Sequence, residues 1–364
     1  MSMAVWQPTR RELIATAPLL LGAAALPRPV TAVGNNGLRL FVIGDWGKDG
    51  RLYQRHVAGW MNQQALQSGC DLIVSTGDNF YDFGVSSSHD PQWRTSYEDI
   101  YSPELRRMPW FPVAGNHDWG GNIWAQLDRT GNAGWHMPWL WYDIPGARFG
   151  RPDVHLFFID TVVWKGKENK VYHRCGQALR EPDVARQKAW LADALRASCA
   201  PTKLVFGHHP IYAGGLDGGA KWMDDLDATL IAANVTAYIC GHKHCLYHIK
   251  GDHLDYICSG GGSEERLKDV RGTFHPACMA EGRCAPARMH QFVGRAGFTI
   301  VDAGAEAVTY RFVDRDGRVT PPETIRSRGN HNSACSGALP VDPAELRAQA
   351  RARARTYFPC AALF

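Results

Sequence analysis

Short apolar runs that stop at a glycine or an aspartate recur along this chain. Leu38–Ile43 runs into Gly44-Asp45, Leu72–Ser75 precedes Gly77-Asp78, and Phe111–Ala114 precedes Gly115-Asn116. Further on, His155–Ile159 meets Asp160, Lys203–Phe206 meets Gly207-His208, and Ala237–Cys240 meets Gly241-His242. A nearly continuous apolar run closed by turn residues predicts a buried strand followed by a tight turn. Between these runs, Gln54–Gln67, Val184–Arg196 and Met223–Ala233 place apolar residues three and four apart, which predicts helices. Strand, polar loop and helix in repetition predict an α/β fold.

After Gly241 the pattern changes to strands without helices. A hairpin is expected around Gly251-Asp252, and a second pair from Gly297–Asp302 and Ala307–Asp314. These later strands predict a second sheet packed on the first. Pro321–Leu339 reads as irregular, and Asp342–Thr356, rich in Ala and Arg, as a C-terminal helix that Cys360 could tether. Without repeats or a low-complexity linker, the simplest division is a targeting segment at 1–32, one catalytic domain at 33–320 and a C-terminal extension at 321–364.

The targeting reading rests on the N-terminus. Arg10-Arg11 precedes the apolar run Ala15–Leu26, and Val30-Thr31-Ala32 offers small residues for cleavage. That is the layout of a signal peptide, and the run is too short to span a bilayer. The paired arginines fit the twin-arginine route, so an exported protein is expected, periplasmic or secreted, free of the membrane after cleavage. All ten cysteines follow that cleavage point, which suits an oxidising compartment. A two-residue turn at Gly251-Asp252 would pair Lys250 with His253 and put Cys245 opposite Cys258, a candidate disulfide. Cys278 with Cys284 and Cys335 with Cys360 are weaker pairs, suggested by closeness in sequence alone.

A formal charge of +4 over 364 residues is mild, and much of it sits between Arg347 and Arg355. Nucleic acid is therefore not an expected partner. Nothing in the pattern specifies an oligomeric state.

The residues that follow the strands carry the chemistry. Gly44-Asp45-Trp46-Gly47 and Gly77-Asp78-Asn79-Phe80-Tyr81 supply carboxylates and a phenol. Gly115-Asn116-His117-Asp118 supplies an amide, an imidazole and a carboxylate. Gly207-His208-His209-Pro210 and Gly241-His242-Lys243-His244 supply imidazoles. Each motif alone reads as an ordinary turn or cap. Five in order, each after a strand, place polar groups at the carboxyl ends of strands, where α/β sheets bind ligands. Asp, Asn and His donors together suit hard to borderline metals, and a carboxylate can bridge two ions roughly 3.5–4 Å apart.

This order of motifs resembles that of the calcineurin-like metallophosphoesterases. With Asp45-Trp46-Gly47 in place of a first-motif His, and Tyr81 three residues after Asp78, it looks most like the small, mammalian-type (tartrate-resistant) purple acid phosphatases. The likeness runs from about Leu38 to about Gly262, and more loosely to Asp314. It implies a four-layer α/β/β/α sandwich of two mixed sheets flanked by helices. It also implies Fe3+ held by Asp45, Tyr81 and His244, and a divalent ion (Fe2+, Zn2+ or Mn2+) held by Asn116, His208 and His242, with Asp78 bridging. The implied activity is acid hydrolysis of phosphate monoesters by a metal-bound hydroxide. The substrate would be a phosphorylated small molecule or phosphoprotein, with inorganic phosphate as product. His117 is the candidate to bind phosphate and protonate the leaving group, and Asp118 either orients it or caps the next turn.

Two positions depart from the family pattern. Where mammalian-type relatives carry a further His, this chain has Asp217 in a glycine-rich stretch, so an acidic group would lie near the phosphate. His209 stands where Tyr is frequent, either beside substrate or as a loop residue facing away from the metals. Glu264–Arg295 has no clear counterpart and reads as a lid or a pinned loop. The other readings are a phosphodiesterase or nucleotidase on the same metals, and a non-catalytic secreted binding protein that would be marked by loss of a metal donor.

Overall fold

The computed structural model describes residues 37–166, 181–213, 223–266 and 287–329. The targeting segment, Asp217, both weaker cysteine pairs and the C-terminal helix lie outside them. The strands are β1 (Leu38–Ile43), β2 (Leu72–Ser75), β3 (Trp110–Pro112), β4 (Tyr142–Pro145), β5 (Val154–Phe158), β6 (Thr202–Phe206), β7 (Ala237–Cys240), β8 (Leu246–Gly251), β9 (Asp255–Ser259), β10 (Ala287–Val293), β11 (Gly297–Ala303), β12 (Ala307–Asp314) and β13 (Glu323–Arg326). The helices are α1 (Gln54–Ser68), α2 (Pro103–Arg107), α3 (Ile123–Asp128), α4 (Thr161–Lys165), α5 (Glu181–Ala197) and α6 (Asp224–Ala232).

The strands form two mixed sheets, ordered β13-β12-β11-β1-β2-β3 and β10-β8-β9-β7-β6-β5-β4. In each, parallel strands from the alternating part of the chain are flanked by antiparallel ones. The strands after Gly241 therefore do not build a sheet of their own. β8, β9 and β10 extend the second sheet, while β11, β12 and β13 extend the first.

Period-two alternation explains the layers. Leu38, Leu40 and Val42 of β1 join Leu204 and Phe206 of β6, Ala237 and Ile239 of β7, and Val301 of β11 in one apolar cluster between the sheets. The intervening Phe41, Ile43, Val205 and Tyr238 belong to another cluster, with Val57 and Met61 of α1, Leu191 and Leu195 of α5, and Leu226 and Leu230 of α6. Central strands buried on both faces read as continuous apolar runs, which is why they were legible. β4, β10 and β13 are sheet-edge strands with half-exposed positions. β13 falls within the stretch expected to be irregular, so the first sheet extends to Arg326.

The hairpin β8–β9 corrects the cysteine pairing. Lys250 lies opposite Asp255 and Tyr247 opposite Cys258, so the loop between them has four residues, not two. Cys245 and Cys258 are both buried and neither forms a disulfide. A register change of two residues leaves every side chain on its original face, so hydrophobic alternation does not distinguish the two registers. The longer loop buries Leu254 fully.

Beneath the strand ends of the first sheet, Trp46 packs edge-on against Phe80, Tyr101, Trp110 and Trp135. Its indole N–H donates to Ser75 Oγ at 2.8 Å. Removing so large a buried ring leaves a cavity under the Asp45 turn. Trp46→Ala should cost about 3–5 kcal/mol in urea unfolding of the metal-stripped protein.

Candidate metal centre

The strand-end turns bring the predicted donors together in two groups. In the first, Tyr81 Oη lies 3.1 Å from Asp45 Oδ1 and 3.2 Å from His244 Nε2, and His244 Nε2 lies 3.3 Å from Asp45 Oδ1. In the second, Asn116 Oδ1 lies 3.1 Å from His208 Nε2 and 3.0 Å from His242 Nδ1, and the two ring nitrogens are 3.2 Å apart. Asp78 Oδ2 stands between them, 3.0 Å from Tyr81 Oη and 3.4 Å from His208 Nε2. Asp78, His208 and His242 present donor atoms that converge as a metal site would require.

This spacing fits cations at the two group centres. Metal–ligand bonds of about 2.0–2.2 Å in tetrahedral or octahedral array place neighbouring donors roughly 3.0–3.5 Å apart. The chemistry agrees. Asp45 and Asp78 are buried carboxylates, and imidazoles lie within ion-pair distance of both. Tyr81 Oη has one proton but faces two carboxylates and an imidazole.

The ionisation pattern has the same origin. Burial, then the Asp45 and Asp78 charges, raise the Tyr81 phenol well above its usual value, so without a cation it stays neutral. Burial raises Asp45. Burial would also raise Asp78, but the His208 and His117 imidazoles outweigh it and hold this carboxyl well below the usual range. Burial would lower His208, but Asp78 and then Asp45 raise it to about 10.

Backbone geometry aims these side chains. Asp45, Asp78 and His242 adopt left-handed φ of 59°, 51° and 67°. Such conformations cost of order 1–3 kcal/mol each and persist only where the surroundings enforce them. Gly77, before Asp78, itself takes a positive φ of 93° that a side chain would resist, while Gly241 and Gly115 provide room. A Cβ at Gly241 would lie 2.6 Å from Asp45 Oδ2, and one at Gly115 would lie 2.1 Å from Asp78 Oδ1.

Hydrogen bonds orient the imidazoles. His208 Nδ1 faces the Thr76 carbonyl at 2.9 Å, an acceptor only, so Nδ1 keeps its hydrogen and Nε2 is the nitrogen that would give up its proton and offer a lone pair to a cation. His117 Nδ1 likewise faces the Asp82 carbonyl at 2.6 Å. Its Nε2 is left on the open side, 4.0 Å from Asp78 Oδ2, and its ring lies 4.3 Å from the Tyr81 ring.

Asp118 neither orients the His117 ring nor caps the next turn. It is fully buried and accepts from the backbone N–H of Gly115, Asn79 and Phe80 and from the amide of Gln126. It thus clasps the Asp78 loop to the Asn116 loop. Burial and the neighbouring Asp78 push its carboxyl up to about 6. His209 is buried and holds Thr161 Oγ1 at 2.8 Å through Nδ1, with its ring 4.6 Å from that of His242. It backs a donor and does not face outward. Burial, then His242 and His208, keep it well below the ordinary imidazole value.

Sequence reasoning missed three contributors. Lys48 packs on Tyr81 and Glu264 on His244, while the Asp82 carbonyl holds His117. The Glu264–Arg295 segment is accordingly divided, with Glu264 at the site and β10 at a sheet edge.

Residues 38–246 match the family model of the calcineurin-like phosphoesterases, and the chain belongs to that family. Among curated proteins it is 36% identical to purple acid phosphatase 3 of Arabidopsis thaliana over 61% of this chain and 62% of that protein. It is 30% identical to tartrate-resistant acid phosphatase type 5 of Rattus norvegicus over 82% of this chain and 94% of that one. Within the family, the chain is therefore a member of the purple acid phosphatases, which are binuclear-metal phosphomonoesterases. Among solved structures it is similar to GAP50, titled the anchor in the inner membrane complex of Plasmodium. The TM-score is 0.66 at 25% identity, covering 86% of this chain and 94% of that one. The fold is also that of a purple acid phosphatase from yellow lupin, with a TM-score of 0.54 at 15% identity, covering 86% and 58%.

The clasp role of Asp118 separates it from His117. Asp118→Ala leaves several buried donors unsatisfied at about 1–3 kcal/mol each. It should destabilise the metal-stripped protein by several kcal/mol in urea unfolding, whereas the half-exposed His117→Ala should change stability by less than about 1 kcal/mol.

Proposed function

We propose that this chain is an exported acid phosphatase of the purple type, working on phosphate monoesters with Fe3+ and a divalent ion. The observation that carries the reading is the convergence of all seven donors into two groups that share Asp78. Asp45, Tyr81 and His244 hold the ferric ion, because a phenolate and a carboxylate are hard anionic donors. Asn116, His208 and His242, all neutral donors, hold the divalent ion, which is Fe2+, Zn2+ or Mn2+. When bound, the ions supply an activated water and neutralise phosphate charge.

The chain's own groups do the rest. Asp82 fixes the His117 ring through Nδ1, so Nε2 is the atom that hydrogen-bonds the phosphate and hands a proton to the departing alcohol. His209, held by Thr161, backs the His242 ring. Asp118 keeps the loops of Asp78 and Asn116 in register and stays out of proton transfer. Substrates are phosphorylated small molecules or phosphoproteins, and inorganic phosphate leaves as product. GAP50 shares this fold and is titled an anchor, so the fold alone does not imply catalysis. The intact donor set favours it here.

Export follows from Arg10-Arg11 and the apolar run after them. Cys199 is disulfide-bonded, which suits an oxidising compartment. Folding before export would let the metals load from a controlled pool. No helix among the described residues is long and apolar enough to cross a membrane.

Two substitutions test the site. Tyr81→Phe should bleach the visible band of the iron-loaded protein, and an unchanged spectrum would remove Tyr81 from the iron. His117→Asn should lower kcat on an alkyl phosphate by about 10²–10⁴-fold and on an aryl phosphate by much less. Equal losses on both would exclude it as the acid. Faster hydrolysis of a diester than of the matching monoester by the wild type would overturn the substrate class and leave the metal site intact.

A further inference from the structure

Lys48 follows the Gly44-Asp45-Trp46-Gly47 turn directly, yet its side chain does not run into solvent. It is 12% exposed. Its ammonium lies 3.6 Å from the centroid of the Tyr81 ring. It is also 3.6 Å from Asp82 Oδ1 and 3.8 Å from Glu264 Oε2. Its backbone is pinned, the N–H directed at the Trp46 carbonyl at 2.8 Å and at Gln54 Oε1 at 3.1 Å.

All three partners bear on the candidate metal centre. Tyr81 offers its oxygen to the first donor group. Asp82 holds His117 through its carbonyl. Glu264 Oε2 lies 3.3 Å from His244 Nδ1, the ring nitrogen that faces away from the donor group. One cation therefore stands behind a phenol donor, an imidazole donor and the acid at once.

We propose that Lys48 is a positioning residue whose charge, fixed over the Tyr81 ring, tunes the tyrosine–iron pair and restrains the Asp82 and Glu264 supports. The inference rests on Tyr81 being an iron donor. A cation over an aromatic face is attracted to its π electrons. That attraction strengthens as the ring becomes electron-rich, as a phenolate is. The ammonium faces the ring, while Asp45, Asp78 and His244 gather at the phenol oxygen. Its field therefore lowers the energy of the ring electrons more than that of the iron. Light must then supply more energy to move charge from tyrosinate to Fe3+.

The test is the visible spectrum of the iron-loaded full chain and its Lys48 variants, with iron content and far-UV circular dichroism measured on each. Lys48→Met, which keeps length and removes charge, should move the band to longer wavelength. Lys48→Arg should return it toward the wild-type position, which a purely space-filling role would not require. Lys48→Gln makes the same comparison if the methionine variant does not fold. A band at the same wavelength in wild type and uncharged variant overturns the inference while leaving Tyr81 on the iron. A colourless iron-loaded wild type removes Tyr81 from the iron, and the inference with it.

Discussion

Two buried carboxylates that need a cation are the constraint on which the rest of this structure depends. Asp45 and Asp78 lie out of water, where an uncompensated charge is costly. Each is held in a left-handed turn at the end of a strand. The neighbouring imidazoles offset part of that cost, and the bound ions of a binuclear centre would offset the remainder. The fold thus stores its strain at the place where metal binding relieves it.

Much of the surrounding architecture serves that arrangement. The sheets are covered by two apolar clusters, one between them and one that takes in the helices. Strand ends of both sheets meet at the site, with Asp45 and Asp78 from the first and His208 and His242 from the second. The aromatic cluster around Trp46 makes the floor beneath the Asp45 turn rigid. Asp118 then ties the Asp78 and Asn116 loops with hydrogen bonds to backbone N–H groups. A single carboxylate bonded to several buried donors resists displacement, so the donors keep their spacing even without ions.

Around the donors lies a layer that decides how they behave. His208 and His117 are oriented by backbone carbonyls, His242 is backed by His209, and Tyr81 is faced by Lys48. Such neighbours fix tautomers and local charge. In this chain they are drawn from loops far apart in sequence, and Glu264 adds a carboxylate behind His244.

The sequence by itself determined the central strands, the main helices and the seven candidate donors that the fold brings together. Strands buried on both faces leave continuous apolar runs, and five of the seven candidate donors follow such a run across a glycine, with Tyr81 and His244 further along the same turns. It also carried the family, because the spacing of Tyr81 from Asp78 is a local property. Tertiary structure alone decided the division of strands between two sheets, since β8 to β13 look alike in sequence and differ only in which neighbour they pair with. It decided the hairpin register too, because a slip of two residues preserves the alternation while putting Tyr247, in place of Cys245, directly opposite Cys258. The roles of Asp118, His209 and Lys48 were set the same way. A charged or polar residue in a loop has no fixed partner until packing brings one within reach, and these three found theirs on other turns of the chain.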